Sequence, residues 1–195
     1  EKTHIEIDQK TIDVFKEKEY TDWFPTLNLS YEFTEKENVT LGYSRRISRP
    51  RSWSLNPFRS LTSLTFFRQG NPDLDPSYSN LFDLGYLKRW EKFTFNGSVY
   101  FQRATQVIER ITEATGALVV VSENPLVELP EFRSTSINLS ENSRTGTEFT
   151  LTYSPKRRVR ISGNFNIFNS VTEGSYKGIV LDREIVSWFA RLNSS

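Results

Sequence analysis

FTFNGSVYF, residues 93–101, sets Phe93, Phe95, Val99 and Phe101 at odd positions and Thr94, Asn96, Ser98 and Tyr100 at even ones. Successive side chains of an extended strand point to opposite sides, so the stretch reads as a strand with one apolar and one polar face. What covers the apolar face decides the fold. In a soluble protein it packs against a second sheet, whereas in a membrane barrel it meets lipid.

The same division recurs along the chain. Leu27, Leu29, Tyr31 and Phe33 alternate with Asn28, Ser30 and Glu32, and Val39, Leu41 and Tyr43 with Thr40, Gly42 and Ser44. Phe82, Leu84 and Tyr86 alternate with Asp83, Gly85 and Leu87, and Phe149, Leu151 and Tyr153 with Glu148, Thr150 and Thr152. Val159, Ile161, Phe165 and Ile167 repeat the pattern, as do Trp188, Ala190 and Leu192 near the end. Period-2 alternation over this span predicts about eight strands. They fall near 1–8, 20–33, 38–48, 79–90, 93–109, 144–154, 158–170 and 183–195.

The turns supply a check on parity. A two-residue loop at Glu91-Lys92 sets Trp90 opposite Phe93, apolar on apolar. Phe33 and Val39 flank TEKEN in the same way, and Tyr153 and Val159 flank SPKRR. The other connections, 48–77, 110–143 and 172–181, are long. Short turns at one rim and long loops at the other suit an antiparallel up-and-down transmembrane barrel, with Trp23, Phe33, Trp90, Phe93 and Tyr153 near the rims as an aromatic girdle.

Composition removes other classes. The longest apolar run is ALVVV at 117–121, far short of the roughly 18 residues of a membrane helix, but a barrel passes that test because its two faces average out. With no cysteine there is no disulfide or thiolate metal site, and His4 is the only histidine, so zinc is not expected. Asp73 and Asp75 lack further oxygen ligands and stand among prolines, which suits a rigid loop. No nucleophile elbow, phosphate-binding glycine loop or acid–base pair is present, so neither an enzyme nor a cofactor is expected. A net charge of +1 gives no pull towards nucleic acid. The clusters Arg45, Arg46, Arg49, Arg51 and Lys156, Arg157, Arg158, Arg160 read as rim charge. Solvated charge accounts for both; the alternative for the first is contact with an anionic ligand at the outer rim, where Arg45, on the lipid-facing phase, snorkels to the interface.

Residues 44–86 carry a resemblance. GNPDLDP at 70–76 followed by LFDLGY at 81–86 resembles a signature of TonB-dependent receptors, in Gly70, Asn71, Pro72, Leu74, Pro76, Asp83, Leu84 and Gly85, with Asp83 where that family more often has Glu. FPTLNLSY at 24–31, SRR…RP…W.LNPF at 44–58, NLSENSRTGTEFTLTYSP at 138–155 and SWFARLNSS at 187–195 resemble one subgroup, the outer membrane protein beta-barrel family. The resemblance spans the chain. It implies the outer membrane of a Gram-negative bacterium and a barrel of about 22 strands closed around a plug. Residues 1–195 would then be part of one barrel domain, with the plug, the remaining strands and the segment that meets TonB outside this sequence.

The function so implied is energised uptake of a bulky nutrient, a siderophore, glycan or similar molecule, through a plugged barrel. Its expected partners are outer-membrane lipid and lipopolysaccharide, the plug, the TonB complex and the nutrient. In the long loops, Arg46, Arg49, Trp53, Phe58, Phe66, Phe67 and Arg68 form the candidate ligand group, with rings to stack on a sugar or aromatic siderophore and arginines to pair anionic groups. Packing of loop against loop accounts for the same residues equally well. Two other functions fit the pattern: a non-transporting barrel that scaffolds a surface or secretion partner, and a soluble all-β carbohydrate-binding domain.

Overall fold

A computed structural model describes residues 2–7, 16–156 and 159–194. Its elements are β1 (Lys2–Ile7), β2 (Lys16–Thr21), β3 (Thr26–Thr34), β4 (Glu37–Ser48), α1 (Ser52–Leu55), β5 (Arg59–Ser63), β6 (Phe66–Gln69), β7 (Ser77–Arg89), β8 (Phe93–Glu123), β9 (Leu126–Lys156), β10 (Val159–Tyr176) and β11 (Ile179–Ser194). β1 and β2 form a two-stranded sheet, and the rest form a nine-stranded sheet in the order β11-β10-β9-β8-β7-β4-β3, with β5 and β6 off this path. The β3–β4, β7–β8, β9–β10 and β10–β11 pairs are antiparallel. Among the described residues β3 and β11 end the path, and the sheet does not close on itself.

The chain divides into two compact units. One holds Glu1–Trp23, Ser48–Ser77 and Gln106–Leu139, and the other holds Phe24–Ile47, Tyr78–Thr105 and Ser140–Ser195.

The second unit realises the alternation. Registry sets Leu29 opposite Leu41, Tyr31 opposite Val39, Phe82 opposite Phe101, Leu84 opposite Val99, and Phe165 between Phe149 and Ala190. Because the side-chain period is two, these pairs fix the apolar residues of neighbouring strands on one face. That face is bare: Tyr31 is 66% exposed, Leu84 52%, Val99 56% and Trp188 66%. A row of rings crosses it from strand to strand, Tyr86 to Phe95 (6.3 Å), Phe95 to Phe149 (6.5 Å), Phe149 to Phe165 (5.2 Å) and Phe165 to Trp188 (6.2 Å). Phe93 stacks on Tyr153 at 4.5 Å nearer the turns.

The opposite face is laced by polar side chains. Asn164 Nδ2 donates to Glu148 Oε1 and Thr150 Oγ1, each at 3.0 Å, and the Thr152 and Ser162 hydroxyls lie 3.3 Å apart. A face so satisfied suits water, whereas the bare apolar face has nothing to offer it. Arg45, on the apolar phase, lays its guanidinium 5.2 Å from the Tyr78 ring centroid, a cation set against a ring.

Several expected boundaries move. Residues 110–143 and 172–181 are not long loops: β8 and β9 each run 31 residues to a turn at Asn124-Pro125, and β10 meets β11 at Lys177-Gly178. A connection that is long in sequence can satisfy its backbone by pairing with itself, and Val107, Ile108, Ile111 and the 119–121 valines favour that. The 20–33 strand is two, interrupted from Asp22 to Pro25, and the 48–77 loop contains α1, β5 and β6, so the described residues form eleven strands rather than eight. At the first turn Tyr31, not Phe33, faces Val39, because a bulge lies between Glu32 and Thr34. Tyr153 faces Ile161 rather than Val159 for a similar reason, a shift between Val159 and Ile161. Trp90 and Phe93 do pair, with Trp90 N donating to Phe93 O at 2.7 Å. Arg157 and Arg158 of the second basic cluster, and the side chain of His4, lie outside the described residues.

Candidate functional site

In the first unit the GNPDLDP segment is a clamp. Gly70 N donates to Asn56 O and Asn71 N to Ser54 O, both at 2.7 Å, which ties the segment to the end of α1. The Asn71 side chain turns the chain, accepting from Asp73 N at 2.9 Å, and reaches β9 by donating to Ser136 O at 3.2 Å. Asn138 of β9 completes the join: its Oδ1 accepts from Asp75 N and its Nδ2 donates to Asp75 O, each at 2.8 Å. The same Nδ2 donates to Gln106 O at 2.9 Å. Leu74 sits beneath at 1% exposure, and with Leu55 and Phe67 it forms the unit's small core. The signature therefore acts here through backbone shape and local hydrogen bonds. Asp83, Leu84 and Gly85 belong to β7 in the second unit, where Leu84 joins the apolar face and Asp83 the polar one.

A second set of contacts stiffens the loop. The Arg59 guanidinium binds Glu131, which is buried at 6%, and lies 3.9 Å from the Phe67 ring centroid. Thr115 Oγ1 donates to Glu131 Oε2 at 3.0 Å. Arg133 pairs with Glu113 and donates to Gln69 Oε1 at 3.4 Å. β6 runs parallel to β9, Phe66 to Phe132 and Arg68 to Ser134, so the loop is sewn to the strand along its length.

Between α1, β6, β8 and β9 this framework leaves a pocket of about 400 Å³, lined among others by Trp53, Phe58, Arg68, Arg110 and Ser136. Trp53 is 55% exposed and Phe58 38%, so both rings are available to a visitor. The Arg110 guanidinium lies 5.2 Å from the Trp53 ring centroid. A flat ring with a cation over it, a second arginine and serine hydroxyls can stack on a planar or sugar surface and pair an anionic group.

Three of the seven sequence candidates, Trp53, Phe58 and Arg68, meet in this pocket. Phe67 does not, being buried at 5% beneath Arg59, and half-buried Phe66 pairs with Phe132. Arg49 stands outside the pocket lining, and Arg46 is an exposed residue of β4 in the second unit. Arg110 escaped the sequence reading, since a lone arginine in an extended strand has no local feature to mark it.

Three comparisons bear on this architecture. The model of the outer membrane protein beta-barrel family matches residues 1–195. A search of curated proteins returns no match. Among solved structures, the siderophore receptor PirA of Pseudomonas aeruginosa superposes with a TM-score of 0.56 at 17% identity, over 89% of this chain and 34% of that one. PirA of Acinetobacter baumannii gives 0.57 at 12% identity, over 89% and 34%. A mutant of the ferric enterobactin receptor PfeA of P. aeruginosa, in complex with enterobactin, gives 0.57 at 16%, over 89% and 32%. The chain thus spans about a third of the length of the structures it matches. At such identities the likeness is one of fold, and it accounts for the bare apolar face as the lipid side of an outer-membrane barrel. With the family model matched from end to end, the chain belongs to the outer membrane protein beta-barrel family.

Proposed function

We propose that this chain is wall and external loop of a TonB-dependent receptor that takes up a bulky nutrient across the outer membrane. The observation that carries the reading is the open pocket of Trp53, Phe58, Arg68 and Arg110, held by the 70–76 clamp. Long connections of such barrels lie outside the cell and short turns face the periplasm, so the 48–77 segment is where a ligand is first met. The remaining barrel, the plug and the TonB contact belong to the rest of the receptor. The siderophore receptors of like fold support a ligand with planar and anionic groups, and the pocket supplies partners for both.

The test is uptake by cells carrying the full-length receptor, over a panel of labelled ferric siderophores and anionic glycans, with and without a protonophore. Energy-dependent accumulation of one of them, weakened at least about tenfold in binding by Trp53→Ala with Arg68→Ala, is expected; the loss of one ring and one charge-assisted contact is worth that much. Binding without accumulation would instead make this a non-transporting scaffold. Binding unaffected by the double variant would move the ligand site elsewhere.

A further inference from the structure

The apolar face of the second unit is notched. Across β4, β7, β8 and β9 runs a groove of about 310 Å³, walled by Leu84, Tyr86, Phe95, Val99 and Phe149, with Gly97 among its lining residues. Thr147 Oγ1, a hydroxyl in its wall, donates to Ser98 O at 2.9 Å, so it does not call for water within the lipid zone. The groove reaches Val39 and Tyr86. Two residues further along the same faces of β4 and β7, towards the tight turns, stand Glu37 and Lys88.

These two form a small polar head to an apolar channel. The Tyr86 hydroxyl donates to Glu37 Oε1 at 2.5 Å, and Lys88 Nζ lies 3.1 Å from Glu37 Oε2. Lys88 Nζ is also 5.6 Å from the Trp90 ring centroid. One acid and one base, side by side, sum to no charge. Lys88 keeps donors beyond the one given to Glu37, and the carboxylate keeps acceptor capacity.

We propose that the groove is a binding site for one zwitterionic glycerophospholipid of the inner leaflet. An acyl chain lies in the groove, the phosphate meets Lys88, and the headgroup ammonium meets Glu37. Three features on the molecule select this occupant. The face is the lipid side of an outer-membrane barrel, so an acyl chain is its ordinary neighbour. The polar head sits at the tight-turn end, the periplasmic side, which faces phospholipid headgroups. The paired charges match a phosphate and an ammonium held together, whereas a purely anionic headgroup would meet Glu37 with like charge.

The experiment is native mass spectrometry of the full-length receptor, delipidated in detergent and titrated with phosphatidylethanolamine or phosphatidylglycerol. One phosphatidylethanolamine is expected to bind ahead of phosphatidylglycerol. Gly97→Leu fills the groove: a Cβ there already comes within 2.8 Å of the Phe95 ring tip, so bulk is added where the two residues line the channel. Retention should fall about tenfold, the equivalent of about two buried methylenes. Thr147→Leu fills it from the neighbouring strand, and it decides the matter if the first variant does not assemble. Lys88→Gln should erase the preference between headgroups. Ala190→Leu adds similar bulk on the same face outside the groove and should leave retention unchanged. Equal retention by the wild type, Gly97→Leu and Thr147→Leu, or an equal effect of Ala190→Leu, would mean ordinary surrounding lipid and overturn the proposal.

Discussion

Replacing Gly70 by alanine isolates the clamp as a cause. A Cβ at this position would press on the Asn56 carbonyl oxygen and stand 2.6 Å from Asn56 N and 2.7 Å from Ser54 O. All three are backbone atoms of the α1 end, so no rotamer can relieve the clash. Over-packing of this kind costs about 1–3 kcal/mol. The backbone must part where Gly70 N meets Asn56 O and Asn71 N meets Ser54 O, and each bond lost adds about 1 kcal/mol. The sum is about 3–5 kcal/mol of local opening free energy, set against a core of Leu55, Phe67 and Leu74. The assay is hydrogen exchange of residues 48–77 in the full-length protein, with β7–β8 amides as internal reference. At about 1.4 kcal/mol per decade, protection of the Gly70 and Asn71 amides should fall at least about a hundredfold, with that of β7 and β8 unchanged. Unchanged protection at Gly70 and Asn71 would refute the view that the segment is held by close backbone approach.

Three further outcomes follow from the same geometry. Val99→Arg places a charge on the lipid face and should cost about 2–4 kcal/mol, whereas Ser98→Arg, one residue earlier and facing water, should cost less than about 1, as read from the thermal stability of the assembled barrel in detergent. Glu131→Ala strands the Arg59 guanidinium and should weaken the β5–β6 hairpin by about 1–3 kcal/mol, seen as faster exchange or proteolysis confined to 59–69. Gly178→Val loads a backbone at φ +81° with a β-branched side chain and should cost about 1–2 kcal/mol in the β10–β11 hairpin; its neighbour Lys177 already sits at φ 50°. Equal exchange at Tyr176 and Ile179 in wild type and variant would contradict it.

The amino-acid sequence by itself determined the strands and their faces in the second unit. A strand's parity is a local property: Phe93, Phe95, Val99 and Phe101 share a side wherever the strand lies, and a two-residue turn carries that parity to Trp90. It also marked the 70–76 segment, since glycine, asparagine and prolines at that spacing restrict the backbone on their own. Bulges escaped it, because one extra residue at Phe33 or Arg160 changes the partner without changing the alternation. So did the length of β8 and β9, where residues beyond the apolar zone no longer need one face greasy and the period-2 signal fades. Only the tertiary structure sorted the aromatic loop residues, burying Phe67 under Arg59 while leaving Trp53 open beside Arg110. Trp53 and Arg110 are far apart in the chain, and what brings them together is the anchoring of the loop to β9 through Asn71, Asn138 and the β6 pairing. Local pattern carries the face of a strand, but the meeting of two distant side chains is set by the sum of long-range backbone contacts, which no single stretch of sequence contains.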